Sequence, residues 1–438
     1  MVDQLSPIGY KKSEIGMIPE NWIIKSIGEI SSEIYRYPTY FNIEYVYDGE
    51  GVPEVRGELI KNNGELEENL SKYRYISLKT SRRFSKTILK PGDFIITVRG
   101  TLGKVAFINS KFNGANITAN LIKISLKKEL YYPEYFKQVF SNESFRNTLN
   151  KLSSQTTIKT IQSPTLKSIR FPIPPLPEQI KIAKFLSDVD ALIESLDKLI
   201  TKKKYIKQGL MQTLLTRGIG HTKFKKTEIG EMPENWRLSE LGNLTDNESD
   251  IIAGPFGSNL KVSDYKDSGV PIIRLQNIAP NDFIPSDIKY ISGTKAKELA
   301  YHSFIAGDIA LAKLGDPIGI SCIIPSTLKH GIVVADVVRI RVSTKKADSQ
   351  FIVQFLNSSI NLRQLQLEKI GTTRPRVNLS AVRKIKLFLP SLSEQQKIAQ
   401  ILSNADREID VLEQKRDKYK LLKTGMMQQL LTGGIRVK

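Results

Sequence analysis

The chain has 438 residues, 40% hydrophobic and 25% charged, an ordinary globular mixture that is too long for a single hydrophobic core. Lys and Arg outnumber Asp and Glu by 65 to 45, leaving a formal net charge of +20 at pH 7, which favours a polyanionic partner, nucleic acid first. No apolar run approaches the roughly 20 residues of a membrane span, no signal-peptide core opens the chain, and a single cysteine, Cys322, excludes an internal disulfide, so the cytoplasm is the expected compartment.

Residues 10–30 read YKKSEIGMIPENWIIKSIGEI, and residues 224–244 read FKKTEIGEMPENWRLSELGNL. Lys11 maps to Lys225, Gly16 to Gly230, Pro19 to Pro233 and Trp22 to Trp236, each 214 positions on. These are the only two tryptophans, and each is expected to anchor a globular domain by core packing. The repeat continues more weakly inside. Gly51-Val-Pro-Glu-Val-Arg56 echoes Gly269-Val-Pro-Ile-Ile-Arg274, and Pro91-Gly-Asp-Phe echoes Ala306-Gly-Asp-Ile. Phe94–Val98, Lys104–Ile108 and Leu121–Leu126 read as short strands between Gly and Asn breaks, as do Ile309–Lys313, Ile320–Ile324 and Val337–Val342. One helix is expected near Glu134–Leu149 and another near Ser349–Leu367.

Pro174–Ile219 and Pro390–Ile435 repeat each other without a gap. Glu178 maps to Glu394, Gln179 to Gln395, Asp190 to Asp406 and Gly209 to Gly425, all 216 apart. Each copy reads as one long helix, with a glutamate in its first turn and Gly218 or Gly433-Gly434 at its end. The first seam is read as Ile182, Phe185, Val189, Leu192, Leu196, Leu199, Ile206 and Leu210, broken at Lys203. The second is read as Ile398, Leu402, Ala405, Ile409, Leu412, Tyr419 and Met426. Two such heptad-like seams in one chain suggest a coiled coil of the helices with each other, roughly 55–60 Å long at 1.5 Å per residue. The expected organisation is therefore a globular domain over 1–175, a helix over 176–220, a second domain over 221–391 and a second helix over 392–438. The helices repeat closely while the domain interiors diverge, as for two reading heads of one type with different specificities.

Catalytic signatures are missing. Gly100-Thr-Leu-Gly-Lys104 is too short for a phosphate loop and reads as a turn between strands. No GxGxxG opens a helix, and no Asn-Pro-Pro-aromatic stretch is present. His221, His302 and His330 lack metal-ligand spacing. Cys322 lies in an apolar run and reads as core, and Asp93 and Asp308 read as turn residues.

Taken as an ordered set, present twice, IPENW and MPENW (Ile18–Trp22, Met232–Trp236), PPLPEQ and PSLSEQ with KIA at the helix starts, and QTLLTRGI and QQLLTGGI at the helix ends resemble the specificity (S) subunit of type I restriction–modification systems. The resemblance covers essentially the whole chain, with Ser391 and Ser393 where the first copy has prolines. It implies an α+β (mixed α/β) protein with two target-recognition domains and two spacer helices packed as an antiparallel coiled coil, in a pseudo-twofold repeat. It also implies a non-catalytic subunit that reads a bipartite site in double-stranded DNA. Each domain would read one half-site, and the helices would set the gap and dock two methylation (M) subunits, with two restriction/translocase (R) subunits added. No cofactor is expected on this chain. S-adenosylmethionine, ATP and Mg would be used by the partner subunits. A helix pair of that length suits half-sites one helical turn apart, roughly 34–36 Å between centres. Another reading is a basic coiled-coil assembly protein that binds DNA without sequence specificity.

The first candidates for DNA contact lie in the polar loops before each long helix. They are Thr156, Thr157 and Lys159 in one half, and Thr372, Thr373, Arg374 and Arg376 in the other, whose hydroxyl and cationic groups suit phosphate or base edges. Further candidates are Arg36, Tyr37, Arg82, Arg83, Lys86 and Arg99 in the first domain. In the second they are Lys261, Arg274, Gln276, Asn277, Lys295 and Lys313. Arg56 and Arg274 are paired across the repeat, so a shared structural role competes there.

Overall fold

The computed structural model describes residues 9–36, 43–47, 50–61, 64–153, 159–255, 257–371 and 375–437. Two compact units emerge. One holds Met1–Leu196 with Lys415–Lys438, the other Asp197–Gln414. Each long helix, Leu176–Arg217 and Leu392–Leu430, gives one part of its length to each unit. Among the described residues no helix is long and apolar enough to cross a membrane.

In the first unit an antiparallel four-stranded sheet runs in the order Ser31–Arg36, Leu121–Leu126, Phe94–Thr97, Val105–Phe107. A second sheet pairs Val52–Val55 with Arg74–Ile76 and, in parallel, with Asn116–Ile117. Strand Ile23–Ser26 pairs with Arg170–Ile173, which ties the start of the domain to the residues just before the helix. The second unit repeats this plan. Its antiparallel sheet runs Ile251–Ala253, Val337–Ile340, Ile309–Ala312, Ser321–Ile323, and Arg237–Glu240 pairs with Lys386–Leu389. The expected strands are present, trimmed by a residue or more at most ends.

The helices after the sheets differ from expectation. Each single helix is two. Pro133–Ser141 gives way to Glu143–Lys151 at Asn142, whose side chain accepts from Ser144 N at 2.9 Å, and Ser349–Leu356 gives way to Ser359–Leu367 at Ser358. An N-capping side chain offers the backbone an end more stable than continuation, and apolar periodicity alone does not register it.

The long helices start as expected, with Pro177 inside the first turn, where its missing N–H costs nothing, and they stop at Gly218 and Gly433, both in the left-handed region at φ +65° and +79°. The second seam is as read. The first is not. Phe185, Leu192, Leu199 and Ile206 are exposed, and the inward positions are Ile182, Leu186, Val189, Ile193, Leu196, Ile200, Lys203, Lys207, Leu210 and Leu214. That register is the second helix's, shifted by 216. Helix segments complete each domain's core. Ile182, Leu186, Met427 and Leu430 pack with Trp22, Phe136 and Phe140, and Leu215, Ile398 and Leu402 pack with Trp236, Phe351 and Phe388.

Candidate nucleic-acid interface

A repeated set of polar bonds holds each domain on its helices. Trp22 Nε1 donates to Glu178 Oε2 at 3.1 Å, and Trp236 Nε1 to Glu394 Oε2 at 3.1 Å. Gln179 Oε1 accepts from Tyr132 N and its Nε2 donates to Pro174 O, both at 2.9 Å, while Gln395 does the same with Asp348 N and Pro390 O. Gln138 donates to Asp190 at 3.1 Å and Gln354 to Asp406 at 3.0 Å. Each aspartate also takes a seam lysine of the antiparallel helix in its unit, Lys423 on Asp190 at 2.6 Å and Lys207 on Asp406. The lysine and glutamine pairs obey the same 216 offset, a sequence signal of an inward polar layer that hydrophobic periodicity passes over.

One end of each antiparallel sheet carries the candidate residues. In the first domain Val98 N donates to Asn120 O at 2.9 Å, Ile161 N donates to Val98 O at 3.0 Å, and Arg99 bridges Thr160. Gly100 N donates to Lys159 O at 3.2 Å, so Lys159 and Arg99 lie on adjoining segments, both exposed. Arg36 ends its strand there and donates from Nε to Ala119 O at 3.3 Å. Burial and then the nearby Arg99 charge lower its pKa.

The second domain makes the same backbone bonds at the same places. Lys313 N donates to Asp336 O at 3.0 Å, and Val377 N to Lys313 O at 3.1 Å. The side chains differ. Lys313 stands where the first domain has Val98, and Arg376 stands where it has Thr160. Arg376 is fixed by backbone bonds to Ile370 in both directions, at 2.8 and 2.9 Å, and its Nε lies 3.6 Å from Asp336 Oδ1. Burial lowers the Lys313 pKa, Asp336 opposes this, and Arg376 adds to it.

The remaining candidates scatter. Arg82 and Arg83 are exposed at the end of the helix Leu78–Arg83, Arg83 lies over Phe84, and Lys86 stands 5.8 Å from the Tyr35 ring centre. Lys261 is exposed, and Lys295 is paired with Glu298 at 2.9 Å. Three candidates are already engaged within their own loop. Asn277 is fully buried, accepting from Arg274 N and donating to Ile284 O and Ser286 O, so both of its N–H donors are engaged and its amide is closed off from the surface. Arg274 donates to Asp287 Oδ2 at 2.9 Å and Gln276 donates to the same oxygen at 3.2 Å, which makes both loop braces. Arg56 holds Lys72 O at 2.9 Å in the first domain, so the paired arginines share a structural role. Tyr37, Thr156, Thr157, Thr372, Thr373 and Arg374 lie outside the described residues. Cys322 is core, as expected, with burial pushing its thiol up to about 12. Asp93 and Asp308 are buried turn braces. Asp93 accepts from Lys90 N, and Asp308 accepts from Ile305 N and takes Arg341 at 2.8 Å.

The family model for the type I restriction modification DNA specificity domain matches residues 19–204 and again 233–420. The MjaVIII specificity subunit of Methanocaldococcus jannaschii, a type I restriction enzyme subunit, is 27% identical, with 96% of this chain and 94% of that protein covered. The EcoKI specificity subunit of Escherichia coli K12 is 22% identical over 96% of this chain and 90% of its own length. The fold is that of the type I restriction–modification S subunit from M. genitalium, at TM-score 0.56 and 14% identity, covering 94% of this chain and 96% of that one. A chain from a study of complex assembly and conformational transition of a type I system gives TM-score 0.54 at 16% identity, covering 95% and 99%. With both of its halves matched by that model, the chain belongs to the type I restriction–modification DNA specificity family.

Proposed function

We propose that this chain is the DNA-reading subunit of a type I restriction–modification enzyme, with each domain contacting one half of a split site through the sheet end described above. The observation that carries the reading is the repeated backbone frame with unlike side chains at equivalent tip positions: Val98 against Lys313, Thr160 against Arg376, Arg36 against Ala253. Equal frames place two heads alike, and unequal tips make them read different bases. Lys159, Arg99 and Arg36 serve the first half-site, and Arg376 and Lys313 the second.

In this reading the chain is not an enzyme and binds no cofactor. Methyl transfer from S-adenosylmethionine belongs to two M subunits, and ATP- and Mg-dependent translocation and cleavage to two R subunits, all in the cytoplasm. The long helices set the gap and dock the M subunits. What supports docking is a pair of equivalent apolar surfaces. Phe185, Leu421 and Leu422 are 40%, 75% and 47% exposed in the first unit, and Ile401, Tyr205 and Ile206 are 38%, 70% and 46% exposed in the second. Exposed apolar faces of this kind mark interaction sites.

The test is a genome-wide map of methylated bases in the host, with and without the chain. A split motif with a fixed gap that disappears on deletion is the expected result, and an unchanged map overturns the reading. Once the motif is known, Arg376→Ala should weaken binding by about 1–3 kcal/mol, and only against changes in one half-site. Equal loss on every duplex would assign Arg376 to phosphate, and no loss would remove it from the interface.

A further inference from the structure

The Gly100–Lys104 turn joins Phe94–Thr97 to Val105–Phe107 and is held by Thr97. Thr97 Oγ1 donates to Thr101 O at 2.6 Å and accepts from Lys104 N at 3.0 Å, and Gly103 N donates to Thr97 O at 3.0 Å. Gly103 sits at φ +74°, and a Cβ there would lie 3.1 Å from Arg146 Cγ. The glycine is what lets the stem of Arg146 lie against the turn.

The turn, Lys61, Gly64, Ser141 and Arg146 bound a cleft of about 220 Å³, walled by the buried side chains of Leu102, Val105 and Phe140. Among the described residues three cations line it and no carboxylate does. The carboxylate nearest Lys61 in an ion pair is Glu67, at 3.8 Å, and Glu67 already takes Lys72 at 2.7 Å. Lys104 Nζ donates to a carbonyl, Ile60 O, at 3.4 Å, and to no carboxylate among the described residues. The Arg146 guanidinium makes no hydrogen bond or ion pair among the described residues. Cations gathered against an apolar wall repel one another more strongly than they would in open water, so the site is short of an anion.

We propose that this cleft binds a phosphate group, and that on DNA it takes a backbone phosphate beside the first domain's half-site. The DNA assignment rests on the function proposed above. Phosphate fits because its oxygens accept from a guanidinium fork and from two ammonium groups at once. The bond from Gly100 N to Lys159 O puts the turn next to the candidate interface. The second domain has no counterpart: Ile320 replaces Lys104, Leu362 replaces Arg146, and Asp316 enters the turn. The feature therefore makes the two heads unequal in backbone grip as well as in base reading.

The experiment compares the full chain with Lys104→Ala/Arg146→Ala on a duplex carrying the mapped motif, between 50 and 200 mM salt. Each phosphate contact contributes about 0.9 to the slope of log affinity against log salt. The double variant should lose about 1 in slope and bind about 5- to 10-fold more weakly, equally for changes in either half-site, while Leu362→Ala changes nothing. Arg146→Gln, which keeps the stem against Gly103, should lose part of the same slope with an unchanged thermal midpoint, which separates charge from folding. Salt-dependent binding by the wild type with the same slope in the variants overturns the phosphate site and leaves the DNA reading standing. No DNA binding by the wild type overturns that reading instead. In that case, uptake of inorganic phosphate by the wild type and not by the double variant, followed by phosphorus NMR, keeps the cleft as a phosphate site for a free ligand, and no uptake overturns it.

Discussion

The two domains share a skeleton and differ where it ends. Near the helices the correspondence extends to single bonds, with Trp22 and Trp236, Gln179 and Gln395, and Asp190 and Asp406 each bonded alike. On the middle strand of each antiparallel sheet even a buried cation is repeated, Lys123 with Glu33 at 2.7 Å and Arg339 with Asp250 at 3.7 Å. At the far end of the same sheets the backbone bonds persist and the side chains do not. A position whose side chain satisfies a buried partner cannot change without leaving that partner unsatisfied, whereas a position facing solvent is free to change. Duplication followed by divergence therefore leaves identity at the attachment and difference at the tip.

The largest effect should come from the attachment. Trp22→Ala and Trp236→Ala each remove a fully buried indole and orphan a half of Glu178 or Glu394, and each should cost about 3–5 kcal/mol. Far-UV circular dichroism during guanidinium unfolding reads each cost, and because each unit holds one tryptophan, the fluorescence of the survivor marks the transition of the unmutated unit so that the two can be separated. Equal costs fit equivalent attachments. Unequal costs would trace to the third partner, since Arg436 forks onto Glu178 at 2.7 and 3.1 Å while His221 meets Glu394 at 2.8 Å. Next come the seam lysines. Lys207→Ala and Lys423→Ala should each cost about 1–3 kcal/mol, less than a fully buried pair because both sites are partly open. A normal thermal midpoint in both variants would mean that the polar layer is not part of the helix pairing.

Much of this was legible in the sequence. The 216 offset located both long helices, and the second seam was correct at every position. The first was misread because Phe185, Leu192, Leu199 and Ile206 recur every seven residues, as a seam does, while the true seam passes through Lys203 and Lys207. Charge periodicity would have resolved it, since seam lysines paired across an antiparallel helix recur at the repeat offset. At the tips, residue type told which side chains could contact DNA but not which were already engaged. Asn277 and Arg274 look like base readers until their loop partners are visible. Lys61, Lys104 and Arg146 lie far apart in sequence, and only the fold brings them to one cleft.

Smaller effects test how far equivalence extends inside the core. Cys322 occupies the position of Ala106, and both are fully buried on matching strands. Cys322→Ala installs the first domain's own choice and should cost less than about 1 kcal/mol in a denaturation titration, because only a sulfur's volume is removed. With its thiol held up near 12 by burial, Cys322 should also resist alkylation at pH 8 until the chain unfolds.

The smallest effect concerns paired arginines with unlike clamps. Arg56 holds a carbonyl, Lys72 O, together with Glu58, whereas Arg274 holds the Asp287 carboxylate, which hydrogen bonds from Lys289 and then Arg274 bring down to about 2. A carboxylate depressed on folding binds its proton more readily in the unfolded chain. Its contribution is therefore present above the ordinary aspartate pKa of about 3.9 and is lost as pH falls through the folded value. Asp287→Asn should lower the midpoint of the second unit slightly at pH 7, and the difference from wild type should shrink between about pH 4 and pH 2. Asp287 is exposed, so the shift should also shrink with added salt. A difference that stays constant across that pH range would mean that the loop is held by the Arg274 contact to the Asp287 carbonyl instead of its carboxylate, which would make the two arginine clamps alike after all.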